Sequence, residues 1–248
     1  SLMESIGRRS DERVMTDALG DRVQRKNGLI ASTIGLQNQC TRASLQTMTD
    51  FALCCFPEIK EFDPQEKWLL IKNWLTSRFI FDGVHRAQIY FPGKPNYVMV
   101  TFLTFADIDN ADYYIADLDA IYDKDHSIRM MREATKRNSE WLGPLLKKAA
   151  IDEAETMAIY GLLCWPSYLS NSSLRVRETC YKYHLRIFQE LNQHYKKTGR
   201  TDYFARVSYV TSILLCVQAA IQRLKEDMVV YRLLDVYSGD ELVYNVVK

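Results

Sequence analysis

The chain's only imidazoles are at positions 85, 126, 184 and 194. No two stand three or four residues apart, the spacing that puts a pair of metal ligands on one helix face. His184 and His194 lie ten residues apart on one predicted helix and read as surface or boundary residues. No H-E-x-x-H, G-x-S-x-G, G-x-G-x-x-G or P-loop occurs, so no zinc-bound water, elbow serine or phosphate cradle is announced. The cysteines, at 40, 54, 55, 164, 180 and 216, form no C-x-x-C pair, and several fall inside apolar helical patterns. They read as free buried thiols of a reducing compartment, not as a zinc or disulfide framework. Aspartates at 107, 109, 112, 117, 119, 123 and 125 begin with a D-x-D spacing, but the glycine and distal glutamate of a calcium loop are missing. They read as a solvated face. No cofactor, metal or enzymatic activity is expected from these residues.

The elements that would have to position any site are helical. Ten glycines and six prolines in 248 residues are fewer than the roughly 17 and 12 of average usage, which favours long helices over many short strands. With 47% hydrophobic and 25% charged residues the chain has ample material for one large domain. A net charge of +1 argues against a surface built to grip nucleic acid or an anionic membrane. The longest apolar runs, near Tyr97–Ala106 and Ile213–Ile221, are about ten residues, short of a membrane span, and no secretory signal opens the chain. The opening Ser1-Leu2 reads as a cloning remnant, so the native protein is expected to be longer.

Residues 1–35 read as an N-terminal extension with a first amphipathic helix and a Lys26-Asn27-Gly28 break. A helix from about Leu36 runs through Leu45, Met48, Ala52 and Cys55 and stops at Phe56-Pro57. Asp63-Pro64 then reads as an N-cap with proline at the first helical position. Nine of the 14 residues of Trp68–Phe81 are apolar and fall nearly all round the cylinder, which predicts a helix at the centre of the domain. Ile89–Phe91, Pro92–Asn96 and Tyr97–Phe105 predict strand, turn and strand. Further helices are expected over Ile128–Trp141, Leu145–Trp165 and Leu174–Tyr195. Leu142-Gly143-Pro144-Leu145-Leu146 fits the L-x-x-L-L pattern of short docking helices, but its internal Gly-Pro opposes a helix and predicts a linker. The last long helix places Tyr203, Val207, Val210, Leu214, Val217, Ile221, Leu224 and Met228 at alternating steps of four and three, a heptad seam. Ile213, Cys216 and Ala220 add a second apolar flank, so the helix reads either as a core helix alone or as one that faces a core on one side and a partner subunit on the other.

The stretch from Phe51 to Trp74, with Phe56-Pro57, Gln65-Glu66, Leu69-Leu70 and Trp74, resembles the signature of nuclear hormone receptor ligand-binding domains. The Phe56-Pro57 loop start is most similar to divergent nematode receptors that are themselves similar to hepatocyte nuclear factor 4. The resemblance covers about residues 36–248 as one ligand-binding domain, with the DNA-binding domain outside this chain. It implies an all-α fold: an antiparallel three-layer helical sandwich of about 10–12 helices with one small β-hairpin.

The resemblance also implies sites. Ligand-lining positions fall at Cys40, Thr41, Ser44, Leu45 and Met48, at Trp74, Leu75, Arg78 and Phe79, and at Leu224, Met228 and Tyr231. The family's ligand-anchoring arginine lands at His85 or Arg86. Arg78, on a mostly apolar helix, is either such an anchor or a salt-bridged structural residue. Glu155 and Arg200 are implied to form the family's structural salt bridge, and Tyr203, Val207, Val210, Leu214 and Val217 a dimer interface. The coregulator groove falls on Leu53, Lys67, Ile71 and Lys72, closed by Leu242, Val243, Asn245 and Val246. Leu53 stands where the family has a lysine and Asn245 where it has a glutamate. Both charges that would clamp a bound helix's free ends are therefore missing, and weak, altered or corepressor-biased recruitment is expected.

The implied function is that of a nuclear transcription-factor domain responding to a small lipophilic ligand, fatty-acid-like or sterol-like. It would bind coregulator peptides and homodimerise or pair with another receptor, with DNA contacted only through the separate domain and no membrane involved. Two alternatives stay open. One is an orphan scaffold whose pocket is filled by Trp74, Phe79, Phe81 and Tyr231; the other is an all-α enzyme acting on lipids.

Overall fold

The computed structural model describes residues 2–18, 24–117, 123–167, 169 and 171–234. Its organising element is helix α3 (Pro64–Tyr90), which starts on a capping box. The Asp63 carboxylate accepts from the Gln65 and Glu66 amides at 2.9 Å each, Glu66 returns a bond to the Asp63 amide, and Pro64 occupies the first turn. Leu70, Ile71, Trp74, Leu75, Ile80, Phe81 and Val84 are all buried, and each contributes about 1.5–3 kcal/mol of hydrophobic stabilisation. Buried on most sides along its middle, α3 touches helices α2 (Ile34–Cys55), α5 (Lys124–Ala149), α6 (Glu153–Cys164) and α8 (Tyr203–Leu233).

Helix α7 (Leu174–Lys197) packs on α6, and α1 (Leu2–Ala18) packs on α2. With the short α4 (Ala111–Tyr114) this makes eight α-helices among the described residues. The number is below ten to twelve because α3, α5 and α8 each run unbroken for 27, 26 and 31 residues. In α5 the helix continues through Gly143-Pro144, contrary to the linker expected there. Pro144 is exposed, so the carbonyl it leaves unpaired faces water, and Gln88 Nε2 donates to the Gly143 carbonyl at 2.6 Å. The L-x-x-L-L segment is thus helical, but Leu142 and Leu146 are core residues and are not presented to a partner.

The sheet is larger than a hairpin. Strands β1 (Arg25–Lys26), β2 (Leu29–Ala31), β3 (Tyr97–Met99) and β4 (Thr104–Asp107) lie in the order β1-β2-β4-β3, with β2 parallel to β4 through the Ile30–Thr104 register. Asn27 and Gly28 have φ of 52° and 73°, the backbone of a two-residue hairpin turn, so the break read there is a turn between paired strands. The β3–β4 turn falls at Val100–Leu103, not at Pro92–Asn96. Ile89 and Tyr90 end α3 instead of forming a strand; Phe91 then stacks on Tyr97 at 4.6 Å and meets Phe105 at 5.0 Å. Helix propagation up to the proline outweighs the β preference of these three residues.

The aspartate stretch supplies caps. Asp123 caps α5, Asp107 caps the 3₁₀ turn Ile108–Asn110, and Asp117 accepts from the Gly35 amide at 2.9 Å and from the Thr33 hydroxyl at the head of α2. Asp119 lies outside the described residues. Helix α8 is long and apolar enough to cross a membrane by length and composition alone. Here Arg206, Val210, Ile213, Val217 and Ala220 line its buried face against the core shared with α3 and α6. That seam is offset from the expected one: Val210, Val217 and Met228 are buried members of the expected seam, while Tyr203, Val207, Leu214 and Ile221 sit on its flank.

Candidate functional site

A cavity of about 200 Å³ opens where α2, α3, the sheet, α4, α5 and α8 converge. Helix α2 contributes Gln37, Thr41 and Ser44; α3 contributes Leu75, Thr76, Arg78, Phe79, Ile80, Gly83 and Val84. The sheet side gives Val98, Val100, Thr101, Ala106, Asp107 and Ile108, and α4 gives Ala111 and Tyr114. Met131, Ala134, Thr135 and Asn138 of α5, with Leu224, Met228 and Tyr231 of α8, complete the wall. Gly83 lets the hairpin close on α3, because a Cβ there would come within 3.1 Å of Val98 Cγ2 and 3.3 Å of the Met99 carbonyl.

Most polar groups of the wall are already paired. The Tyr114 hydroxyl donates to Gln37, Thr76 and Thr135 donate to backbone carbonyls at 2.9 Å each, and the Thr101 and Thr104 hydroxyls lie 2.8 Å apart. Arg78 is different. It is 7% exposed, its guanidinium lies 4.5 Å above the Phe102 ring, and its Nη1 stands 3.6 Å from Asp82 Oδ2, yet neither Nε nor Nη1 has a hydrogen-bond acceptor. The other Asp82 oxygen accepts from the Tyr160 hydroxyl. Asp11 of α1 accepts from the Leu103 amide at 2.9 Å, and burial pushes its carboxyl above the usual range against the pull of Thr101, Leu103 and Arg78.

Of the lining positions implied by the resemblance, Thr41, Ser44, Leu75, Arg78, Phe79, Leu224, Met228 and Tyr231 border this cavity. The others do not. Cys40 faces the cluster formed with Met15, Ile30 and Leu36, and burial together with Asp11 pushes its thiol up to about 12. Leu45 and Met48 turn into the main core, and Trp74 stacks against Phe51 at 6.2 Å. His85 stacks on Phe81 at 5.0 Å, and burial lowers its pKa, so it is neutral near pH 7. Arg86 spends Nη1 and Nη2 on the Thr101 and Phe102 carbonyls at 3.2 and 2.9 Å, fastening the hairpin turn. Sequence reasoning missed Gln37, Tyr114 and the α5 face; the small half-polar stripe Met131, Thr135, Asn138 at helical spacing was its legible signal.

The buried ion pair differs from the implied one. Glu155, fully buried, caps its own helix and accepts from Tyr195 Oη at 2.8 Å, Arg206 Nε at 2.7 Å and Arg206 Nη2. Burial alone would raise its pKa, but Arg206, the Asp152 amide and Tyr195 outweigh that and hold it below the usual range. Arg200 instead reaches Asp152, Nη2 to Oδ2 at 3.7 Å, beside His194 at 3.1 Å. Arg206 stands six positions after Arg200, and only Arg206 lies on the buried face of α8.

Among the groove positions, Leu53, Lys67 and Lys72 are half-buried at the end of α2 and the start of α3. Ile71 is buried in the core and offers no peptide contact. Leu242, Val243, Asn245 and Val246 lie outside the described residues. At the expected dimer surface, Val210 and Val217 are fully buried within the chain's own core and cannot meet a partner; Tyr203 is exposed, and Val207 and Leu214 are half-buried. The outward stripe of α8 is Phe204, Ser208, Thr211, Leu215, Gln218 and Gln222. All six cysteines are free; Cys40, Cys164 and Cys180 are buried, while Cys54 and Cys55 are exposed. Among the described residues, no three histidine, cysteine or acidic groups gather into a metal cluster.

Comparison with known proteins agrees with this architecture. The Ultraspiracle ligand binding domain from Drosophila melanogaster superposes with a TM-score of 0.63 at 11% identity, covering 99% of this chain and 95% of that one. Nuclear hormone receptor family member nhr-16 of Caenorhabditis elegans is 20% identical over 200 residues, 79% of this chain and 51% of the relative, so the chain spans about half of that protein's length. Residues 32–234 match the family model for the ligand-binding domain of nuclear hormone receptor. The chain belongs to the nuclear hormone receptor ligand-binding domain family.

Proposed function

We propose that this domain binds a small lipophilic ligand in the α2–α3–α5–α8 cavity and couples it to coregulator binding, within a longer nuclear transcription factor that contacts DNA through a separate domain. The observation that carries the reading is the cavity itself: an enclosed space walled by α2, α3, α4, α5, α8 and the sheet, in which apolar side chains are interspersed with polar ones. Because α8 forms part of the wall and leads directly into the C-terminal segment, a ligand that braces α8 would bias how that segment packs. The missing clamp charges at Leu53 and Asn245 support weak capture of L-x-x-L-L helices, since charge-assisted hydrogen bonds contribute on the order of 1.5–3 kcal/mol each.

Dimerisation fits the outward stripe of α8, with Phe204 and Leu215 as its apolar anchors. The filled-pocket alternative is weakened: Trp74 and Phe81 face elsewhere, and Phe79 and Tyr231 leave the cavity open. A lipid-acting enzyme would have to use the wall's own Ser44, Asp107 or tyrosine hydroxyls, and turnover by the purified domain is the result that would favour it. The test is whether the purified domain carries or takes up a lipophilic molecule at one equivalent, read as added mass under native conditions that denaturation releases.

A further inference from the structure

The cavity described above has no exposed residue in its wall; the least covered are half-buried. Beside it lies a second, smaller cavity of about 90 Å³, between the β1–β2 hairpin, the rest of the sheet and α4. Its floor is Ala31, Ser32 and Phe105, all buried, and its rim is Gln24, Arg25, Lys26 and Asn110, all exposed. Asp107 and Tyr114 line both spaces and so form the partition between them. Asp107 is fixed: it caps the 3₁₀ turn, accepting from the Asp109 amide at 3.1 Å. Tyr114 is held differently. It ends α4, whose four residues are far too few to keep a helix on their own. Two clasps bind this segment to the first turns of α2. The Tyr114 hydroxyl donates to Gln37, itself in the wall of the larger cavity, and Asp117 accepts from the Thr33 hydroxyl and the Gly35 amide.

A molecule that reaches a space walled by covered residues has to displace part of the wall, and the part that yields is the one held by the fewest contacts. We propose that the smaller cavity is the ligand's entry site and that Tyr114, latched to Gln37, is the gate between it and the larger one. The proposal rests on reading the larger cavity as a ligand site, and it adds the path to that site. Swinging the Tyr114 ring outward joins the two spaces without moving a core helix, because Gln37 stays on α2 and the Asp117 clasp keeps the end of this segment anchored. The smaller cavity also suits a lipophilic molecule's first contact. Tyr97 and Phe105 give it aromatic walls, and Lys26, folded over the Tyr97 ring at 4.3 Å, keeps its charge at the rim.

The experiment follows cis-parinaric acid, a slender polyene that fluoresces once out of water, as it binds the delipidated 248-residue chain in stopped flow. Ala134→Trp is the filled-cavity control and should lose the signal. Tyr114→Phe removes the latch and keeps the ring. It should raise the association and dissociation rates together, each by at least about threefold, the scale of one neutral hydrogen bond. Asn110→Trp narrows the mouth from an exposed position whose side chain caps nothing. It should slow both rates by a similar factor while Kd stays within about twofold. If Tyr114→Phe speeds dissociation alone, the hydroxyl is a ligand contact, and the gate is overturned while the cavity reading stands. Rates that either folded variant leaves unchanged overturn it too, because the ligand then enters elsewhere. Should Asn110→Trp not fold, Tyr114→Phe decides. No binding to the unmodified chain, or a signal that survives in Ala134→Trp, removes the cavity reading and the gate with it.

Discussion

Replacing Arg206 by methionine should be among the most damaging single changes in the chain, and its pH dependence makes the reasoning testable. Glu155 is fully exclusded from solvent and receives two bonds from Arg206, one from Tyr195 and one from the Asp152 amide. Arg206 also donates to the carbonyls of Ala149 and Ala150, where α5 ends in a left-handed residue with φ of 42°. Methionine keeps most of the side-chain volume but strands a carboxylate in the core, a change that costs about 3–5 kcal/mol. At about 2–4 °C per kcal/mol for a chain of this size, Tm should drop by roughly 6–20 °C near pH 7.

In the unmodified protein the folded-state pKa of Glu155 is depressed, so its contribution is present above the unfolded pKa and is lost as pH falls through the folded value. In Arg206→Met, burial without the cation raises the folded pKa, so the cost grows as pH rises above the unfolded value. The stability gap between the two proteins should therefore be widest near neutrality and narrow towards about pH 4. Thermal unfolding at pH 4, 5.5 and 7 measures it. A gap under about 1 kcal/mol at pH 7, or one that fails to shrink in acid, would refute the description of this pair as buried and coupled.

Two further expectations follow from packing and exposure. Gly7→Ala places a Cβ inside the contact radius of the Phe102 ring, which Arg78 and Arg86 already stack against, and should lower stability by about 1–3 kcal/mol in denaturant titration; an unchanged midpoint would mean that α1 does not pack there. Phe204→Glu combined with Leu215→Glu should convert a dimer to a monomer by light scattering while Tm stays within about 2 °C, because both side chains are exposed.

What the residues disclosed on their own was the part governed by local rules. Asp63-Pro64 announced α3, Phe56-Pro57 closed α2, and the near-uniform apolarity of Trp68–Phe81 placed α3 at the centre. The Asn27-Gly28 turn was equally local, a two-residue hairpin signal before Leu29-Ile30-Ala31 that deserved strand status. The remainder depended on tertiary contacts. Pro144 sits inside α5 because its neighbour's carbonyl finds Gln88 on another helix and its lost bond faces water. Arg206 is the partner of Glu155 because α8 turns it inward, a fact that separation along the chain cannot distinguish from Arg200. In the same way, eight of the lining residues follow from helix order, but Cys40 and Arg86 are diverted by α1 and by the hairpin turn, which the heptad and the family order do not encode.

Occupancy of this cavity by a lipophilic molecule is what would tie its lining to function. Its most direct test is a paired native and denaturing mass measurement on the unmodified chain and on Ala134→Trp, which fills the cavity from α5. The unmodified chain should carry, or take up from a lipid extract, one equivalent of a small apolar molecule that denaturation releases, and Ala134→Trp should carry none while remaining folded. A folded unmodified chain that never gains mass, or a filled variant that gains the same mass, would contradict the account.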